Sequence, residues 1–169
     1  LKANAVINSL HICDPAVGSG HFLVSALNEL IVIKAELEIL ADEKGNKLNG
    51  YEFEVVNDEL IITDTKGNIV EYKLQNGKPS SKEIHRLQKT LFHEKQTIIE
   101  NCLFGVDINP KSVLICRLRL WIELLKNAYY KEPNYTELET LPNIDINIKC
   151  GNSLLSRFAL DANLSKALK

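Results

Sequence analysis

Two glycines one residue apart, Gly18 and Gly20, stand between a short apolar run and a long helix-patterned one. No other feature of the chain restricts its fold as strongly. Upstream, "SLHIC" (9–13) reads as a short buried strand. Downstream, "HFLVSALNELIVIKAELEIL" places Leu23, Ala26, Leu27, Leu30, Ile33, Leu37 and Leu40 at helical spacing. Glycine pairs are put at such a junction where the backbone turns sharply or where something approaches it closely. Strand, tight turn and helix in that order are the first half of a βαβ unit.

Residues 41–80 change period. "YEFEVV", "ELIIT" and "IVEYKL" are three strand-like runs separated by "ND" and "DTKGN". Those separators are hairpin chemistry, so the spacing predicts an antiparallel meander, placed at 50–76 as a surface insertion. A helical pattern resumes after Ser80 and Ser81, either of which suits an N-cap. "CLFGVDI" (102–108) predicts a second central strand, and Pro110 opens the helix that follows. Leu114, Leu118, Trp121, Leu125 and Ala128 form one stripe of that helix, and Val113, Cys116, Leu120 and Leu124 the adjoining one; a face so wide belongs against a sheet. "NIDINIKC" (143–150) predicts a third strand. The fold expected is α/β: a Rossmann-like open, mostly parallel sheet flanked by helices, interrupted by the meander.

Composition removes several function classes. With 169 residues, 45% hydrophobic and 25% charged, the chain is long enough for a real core. A net charge of -2 gives no wholesale grip on nucleic acid or an anionic membrane. The greasiest stretch is broken by Glu29, Lys34, Glu36 and Glu38, against a membrane span. Cys13, Cys102, Cys116 and Cys150 lie far apart, which argues against zinc and for free, buried thiols in a cytoplasmic protein. The chain begins at Leu1 and has no methionine, so it is expected to be a piece of a larger protein.

All three parallel strands end in polar signatures, "DPAVGSG", "DINP" and "GNS". In open sheets, ligands bind beyond the carboxyl ends of the strands. Any one signature alone is ordinary turn chemistry; three at one edge point to a site. Gly18 and Gly20 clear side chains so that backbone N–H groups face a ligand. Asp107 can accept two hydrogen bonds from a ribose diol, Ile108 offers an apolar face to a purine, and Asn152 can read the purine edge. Dinucleotide sites require G-x-G-x-x-G, but Leu23 occupies the third glycine position. The carboxylate of Asp14 would repel a pyrophosphate and welcome a cationic sulfonium nucleoside. S-adenosyl-L-methionine is the cofactor this charge pattern prefers.

"DPAVGSGHFL" resembles the first motif of amino-directed DNA methyltransferases of the adenine-N6 type from restriction-modification systems. "GVDINPKSVLICRLRLWIELL" is similar to the family's second motif and its following helix, and "NIKCGNSLL" to its third. The resemblance implies a partial class I methyltransferase fold over 1–169. It also implies that Asp14 faces the methionine part of the cofactor, with Pro15 beside it, and that Ala16, Gly18 and Gly20 form the backbone cradle. Asp107 would hold the ribose hydroxyls, Ile108 would pack on the adenine and Asn152 would meet its amine. Many relatives carry aspartate at this last position, so weaker discrimination is expected from asparagine.

The family transfers the methyl group with an Asn/Asp-Pro-Pro-Tyr/Phe motif beside the flipped base. The chain contains no Pro-Pro, and Asn109-Pro110 belongs to the second motif. The expectation is a cofactor-binding part of a DNA adenine methyltransferase, inactive by itself, with DNA held mainly by other parts of the parent. Lys111, Arg117, Arg119, Lys126 and Lys131 read as a solvated helix face, and His11, His21, His85 and His93 as structural. Two alternatives stand beside this reading: a methyltransferase acting on protein or small molecules, and a non-catalytic specificity or scaffold module.

Overall fold

The computed structural model describes residues 2–139 and 146–154. Its elements run α1 (Lys2–Ile7), β1 (Ile12–Asp14), α2 (His21–Glu36), β2 (Tyr51–Val56), β3 (Glu59–Asp64), β4 (Leu74–Gln75), β5 (Lys78–Pro79), α3 (Lys82–Asn101), β6 (Leu103–Asp107), α4 (Pro110–Leu125) and β7 (Ile148–Cys150). The three strands separated by helices form one parallel sheet in the order β1-β6-β7. Ile12 pairs with Leu103, Asp14 with Gly105, Gly105 with Ile148 and Asp107 with Cys150. This is the α/β sheet flanked by helices that the turn and the periodicities predict.

Helices α2, α3 and α4 pack on each other and on one face of that sheet. Leu23, Leu27, Ile31, Leu91, Ile98, Leu120 and Leu124 are fully buried with Leu103 and Ile148. At about 1.5–3 kcal/mol for each large side chain removed from water, this cluster is the main stabilising term. Gly105 sits at its centre because a Cβ there would lie 2.9 Å from Val17 Cγ2 and 3.0 Å from Ile148 Cδ1. On the opposite face Cys13 and Lys149 are exposed and Phe104 and Val106 half-buried.

Segment 41–79 is a run of short hairpins. β2 and β3 pair from Tyr51↔Asp64 to Val56↔Glu59, and both residues of their turn, Asn57 and Asp58, have positive φ (52 and 66). That is the turn whose twist matches paired strands. Alternate residues Tyr51 and Phe53 turn inward onto the core. "DEKGN" (42–46) and "DTKGN" (64–68) adopt one conformation, in which Asp42 or Asp64 Oδ1 accepts the N–H groups two and four residues on. Three backbone N–H and amide bonds hold the Asp42 carboxyl at about 2, helped by Arg86.

Several expectations are corrected. The third run of the meander meets β3 at its start, through the bridge Thr63↔Ile69 and the Val70 N–H donating to the Ile62 carbonyl, and its remainder turns into the separate hairpin β4–β5 around Asn76-Gly77. Helix α2 buries Val24, Asn28, Ile31 and Lys34, while Ile33 (38% exposed) and Leu37 (53%) face out, because three helices and β2 surround it along a rotated stripe. Lys34 is accommodated by bonds to Asn8 Oδ1 and Glu94 Oε2, each at 2.5 Å. Helix α4 ends at Leu125, and of its apolar residues the Val113–Cys116–Leu120–Leu124 stripe is buried; Leu114, Leu118 and Trp121 remain exposed. Of the thiols, Cys102 and Cys116 are buried, whereas Cys13 and Cys150 are exposed on short outer strands. Ser81 is the cap of α3, accepting from the Glu83 N–H at 3.2 Å. Helix α1 has no signal in its sequence, and residues 143–145 of the third predicted strand lie outside the described residues.

Candidate functional site

The parallel strands β1, β6 and β7 deliver their carboxyl ends to one rim. Asp14 closes β1, and its Oδ1 accepts the Ala16 N–H at 3.0 Å, which turns the chain at Pro15. The Val17 N–H donates to the Val106 carbonyl (2.9 Å), tying the turn to the end of β6. The Gly18 N–H donates to Asp107 Oδ2 at 2.9 Å, and Asp107 Oδ1 accepts from the Asn109 N–H at 2.7 Å. The Asp107 carbonyl in turn accepts the Gly151 N–H at 2.9 Å. Cys150 Sγ lies 3.7 Å from the Ile108 carbonyl, and Asn152 Oδ1 accepts from the Leu154 N–H at 3.0 Å. One hydrogen-bonded path therefore runs from the glycine turn through Asp107 to the loop that carries Asn152.

The two glycines play different parts. Gly18 has φ +52, and the nearest atom to a Cβ built there is the Ala16 carbonyl oxygen at 4.0 Å, so its front is open. A Cβ on Gly20 (φ +84) would lie 2.6 Å from Cys116 Sγ. Gly20 lets α2 start against α4, a packing role that sequence reasoning did not separate from the cradle. Burial pushes the Cys116 thiol up to about 11, with the Asp14 charge adding to it, so it is not a nucleophile.

The rim is chemically mixed. Asp14 and Asp107 supply two half-buried carboxylates, each oxygen retaining acceptor capacity after the bonds above. The N-cap of α2 is Gly20, with no side-chain cap bond, so the first amides of that helix present a partial positive charge beside the turn. Ile108 is 71% exposed, an apolar side chain held in water at the same edge. Pro15, Ala16 and Asn152 are exposed and Gly18 is half-buried. Such a rim can hold a molecule with a cationic part, a carboxylate and a flat apolar ring. Among the described residues, no cluster of His, Cys, Asp and Glu is placed to hold a metal ion.

Three residues brace this region in a way the sequence reading did not assign to them. Arg119 donates to the Ser19 carbonyl (3.4 Å) and lies 3.2 Å from His21 Nδ1, bracing the glycine turn from α4. Arg117 donates to the Ile148 carbonyl through Nε (3.1 Å) and a terminal nitrogen (2.5 Å), pinning β7. Both are half-buried, which corrects the solvated face expected of them. Asp58, at the β2–β3 turn, accepts from Ser25 Oγ at 2.6 Å, and its carbonyl accepts from Asn28 Nδ2 at 2.9 Å. The hairpin thus docks on the first turns of α2. The flanking of core positions 116 and 120 by Arg117 and Arg119 was the available signal; nothing marked Asp58.

Comparison with known proteins gives concordant findings. The family model described as "MmeI, DNA-methyltransferase domain" matches residues 1–161. A protein of Methanocaldococcus jannaschii that carries the name of a type II restriction enzyme and methyltransferase is 32% identical over 160 residues, 95% of this chain and 10% of its own length. A type II restriction enzyme and methyltransferase of Escherichia coli is 27% identical over 123 residues, 72% of this chain and 12% of its own. The chain thus spans about a tenth of the length of these curated relatives. No solved structure matches it. The rim at which three strand ends meet lies inside the matched span, and the chain belongs to the MmeI-type DNA methyltransferase domains of type II restriction-modification enzymes.

Proposed function

We propose that this chain is the S-adenosyl-L-methionine-binding part of a DNA adenine-N6 methyltransferase, with 50–76 an insertion in a methyltransferase domain spanning 1–169. The observation that carries the reading is the path Gly18–Asp107–Gly151, which joins the three loops into one rim. When bound, the cofactor supplies an electrophilic methyl group on a positively charged sulfur. The residues present fit that molecule. The open front of Gly18 admits it, and the unbonded Asp14 oxygen is an acceptor for an ammonium group. The uncapped start of α2 suits a carboxylate. Asp107 retains lone pairs for a diol, Ile108 a surface for the purine ring, and Asn152 a polar group for the ring's edge.

DNA, named in the family description, is the proposed methyl acceptor, held mainly by other parts of the parent protein in the cytoplasm. The adenine amine as the acceptor group rests on the motif pattern in "DPAVGSG" and "GVDINP". Titration calorimetry of the chain with S-adenosyl-L-methionine tests the site, and saturable one-to-one heat is expected; absence of heat rejects it. Methylating DNA with the parent enzyme and analysing its nucleosides tests the target, with N6-methyladenine expected and methylcytosine the contrary result.

A further inference from the structure

One imidazole nitrogen beside the glycine turn has two partners that exclude each other. His21 is the first residue of α2, immediately after Gly20, and its side chain is 69% exposed. Its Nδ1 lies 3.2 Å from Arg119 Nη2 and 3.9 Å from Asp58 Oδ2. A guanidinium only donates, and an ionised carboxylate only accepts. The short contact to Arg119 therefore requires a lone pair on Nδ1, which fixes a neutral ring with its proton on Nε2. A proton on Nδ1 reverses the choice. The ring then loses its acceptor, faces a cation at 3.2 Å, and gains a donor for Asp58.

Both partners are held from other elements. Asp58 belongs to the β2–β3 turn, where Ser25 Oγ donates to its Oδ1 at 2.6 Å and Asn28 Nδ2 to its carbonyl at 2.9 Å. These bonds anchor the turn on α2 and leave Oδ2 for His21. Arg119 reaches across from α4, and its Nη1 donates to the Ser19 carbonyl at 3.4 Å. One guanidinium thus spans Gly20, gripping the residue before it through Nη1 and the residue after it through Nη2. Because the guanidinium is a rigid planar fork, turning Nη2 away from the ring also shifts Nη1 at the Ser19 carbonyl. The same turn carries the Gly18 N–H to Asp107 and the Gly20 N–H to the Val17 carbonyl.

We propose that neutral His21 is a positioning residue of the glycine turn: it orients Arg119 onto the Ser19 carbonyl, and protonation hands Nδ1 to Asp58 and releases the brace. Histidine is the side chain whose charge changes near neutral pH. This role rests on the cofactor site proposed for the rim and makes that site sensitive to pH, with S-adenosyl-L-methionine held more tightly when the ring is neutral.

Titration calorimetry of the chain with S-adenosyl-L-methionine at about pH 7.5 and about pH 5.5 tests this. The affinity of the wild type should fall about three- to tenfold on acidification, the worth of one hydrogen bond. His21→Leu, which has no acceptor, should already be weaker by that factor at the higher pH. His21→Asn, whose side-chain oxygen can take the place of Nδ1, should recover the loss, and neither variant should share the fall. The ammonium of the ligand titrates alike with all three proteins, so the difference between them isolates the ring. A wild-type affinity that parallels His21→Asn over this range, or strengthens on acidification, overturns the proposal. Amide protection at Gly20, measured without ligand, separates the brace from the cofactor site. Protection that falls on acidification in the wild type but not in His21→Asn, with no heat at either pH, rejects the cofactor site and retains the brace. Protection at Gly20 that is the same in both proteins at both pH values overturns the brace itself.

Discussion

The Asp107 carboxylate accepts the backbone hydrogen of Gly18 at 2.9 Å across 89 residues of chain. The acid at the end of the second parallel strand is therefore a strut of the glycine turn as well as a candidate ligand group, and its removal is felt twice.

Asp107→Ala should weaken S-adenosyl-L-methionine binding by about 10- to 150-fold, the equivalent of roughly 1.5–3 kcal/mol for hydrogen bonds to a charged group. It should also mobilise the turn, seen as faster amide exchange at Gly18. Calorimetry checks the first effect and hydrogen exchange the second. Unchanged affinity would remove Asp107 from the site.

Gly18 and Gly20 should separate function from stability. Gly18→Val places bulk in open space and should abolish cofactor binding, at a folding cost of about 1–2 kcal/mol for a side chain at positive φ. Gly20→Ala should cost about 2–4 kcal/mol, since strain from the same cause adds to the clash with Cys116. Cys116→Ala in that background should recover part of the loss. Denaturant titrations of the three variants provide the comparison.

Lys95 gives a signed dependence on pH. Burial brings its ammonium from 10.5 down to about 8, opposed by Glu123, with Lys126 adding to the lowering. Between those values the unfolded chain holds a proton that the folded one has released, so this group's contribution to stability rises with pH. Below about 8 both states are charged and the full burial cost is present. The stability of the wild type minus that of Lys95→Met should therefore be flat below pH 8 and climb towards pH 10.5 in denaturant titrations. A difference that falls over that window would contradict the assignment.

A chain without Pro-Pro should not transfer methyl groups. Incubation with tritiated S-adenosyl-L-methionine and genomic DNA is expected to leave the DNA unlabelled even where calorimetry shows binding, and incorporated label would contradict the proposed division of labour.

The fold was legible where local chemistry and long-range packing agree. Gly18-Ser19-Gly20, Ser81 and Pro110 each mark a junction because only a few residue types suit those backbone positions. The helix faces were less legible. Apolar spacing on α2 admitted more than one stripe, and Lys34 became a core residue only through Asn8 and Glu94, distant in sequence. On α4, hydrophobicity all round concealed which side would be covered. At the rim, the convergence of Asp14, Asp107 and Asn152 followed from strand direction, whereas the bracing by Arg117, Arg119 and Asp58 depends on tertiary contacts that charge alone does not disclose.

The parallel pairing of Ile12 with Leu103 also sets an order of assembly during synthesis. The 41–79 hairpins close over short loops and can form as they leave the ribosome, but the glycine turn meets no carboxylate until residue 107 has emerged, nor the third loop until residue 151. A nascent chain halted between those hairpins and α4 should carry ordered turns and no rim, so any ligand of that rim would stabilise only the later stages of folding.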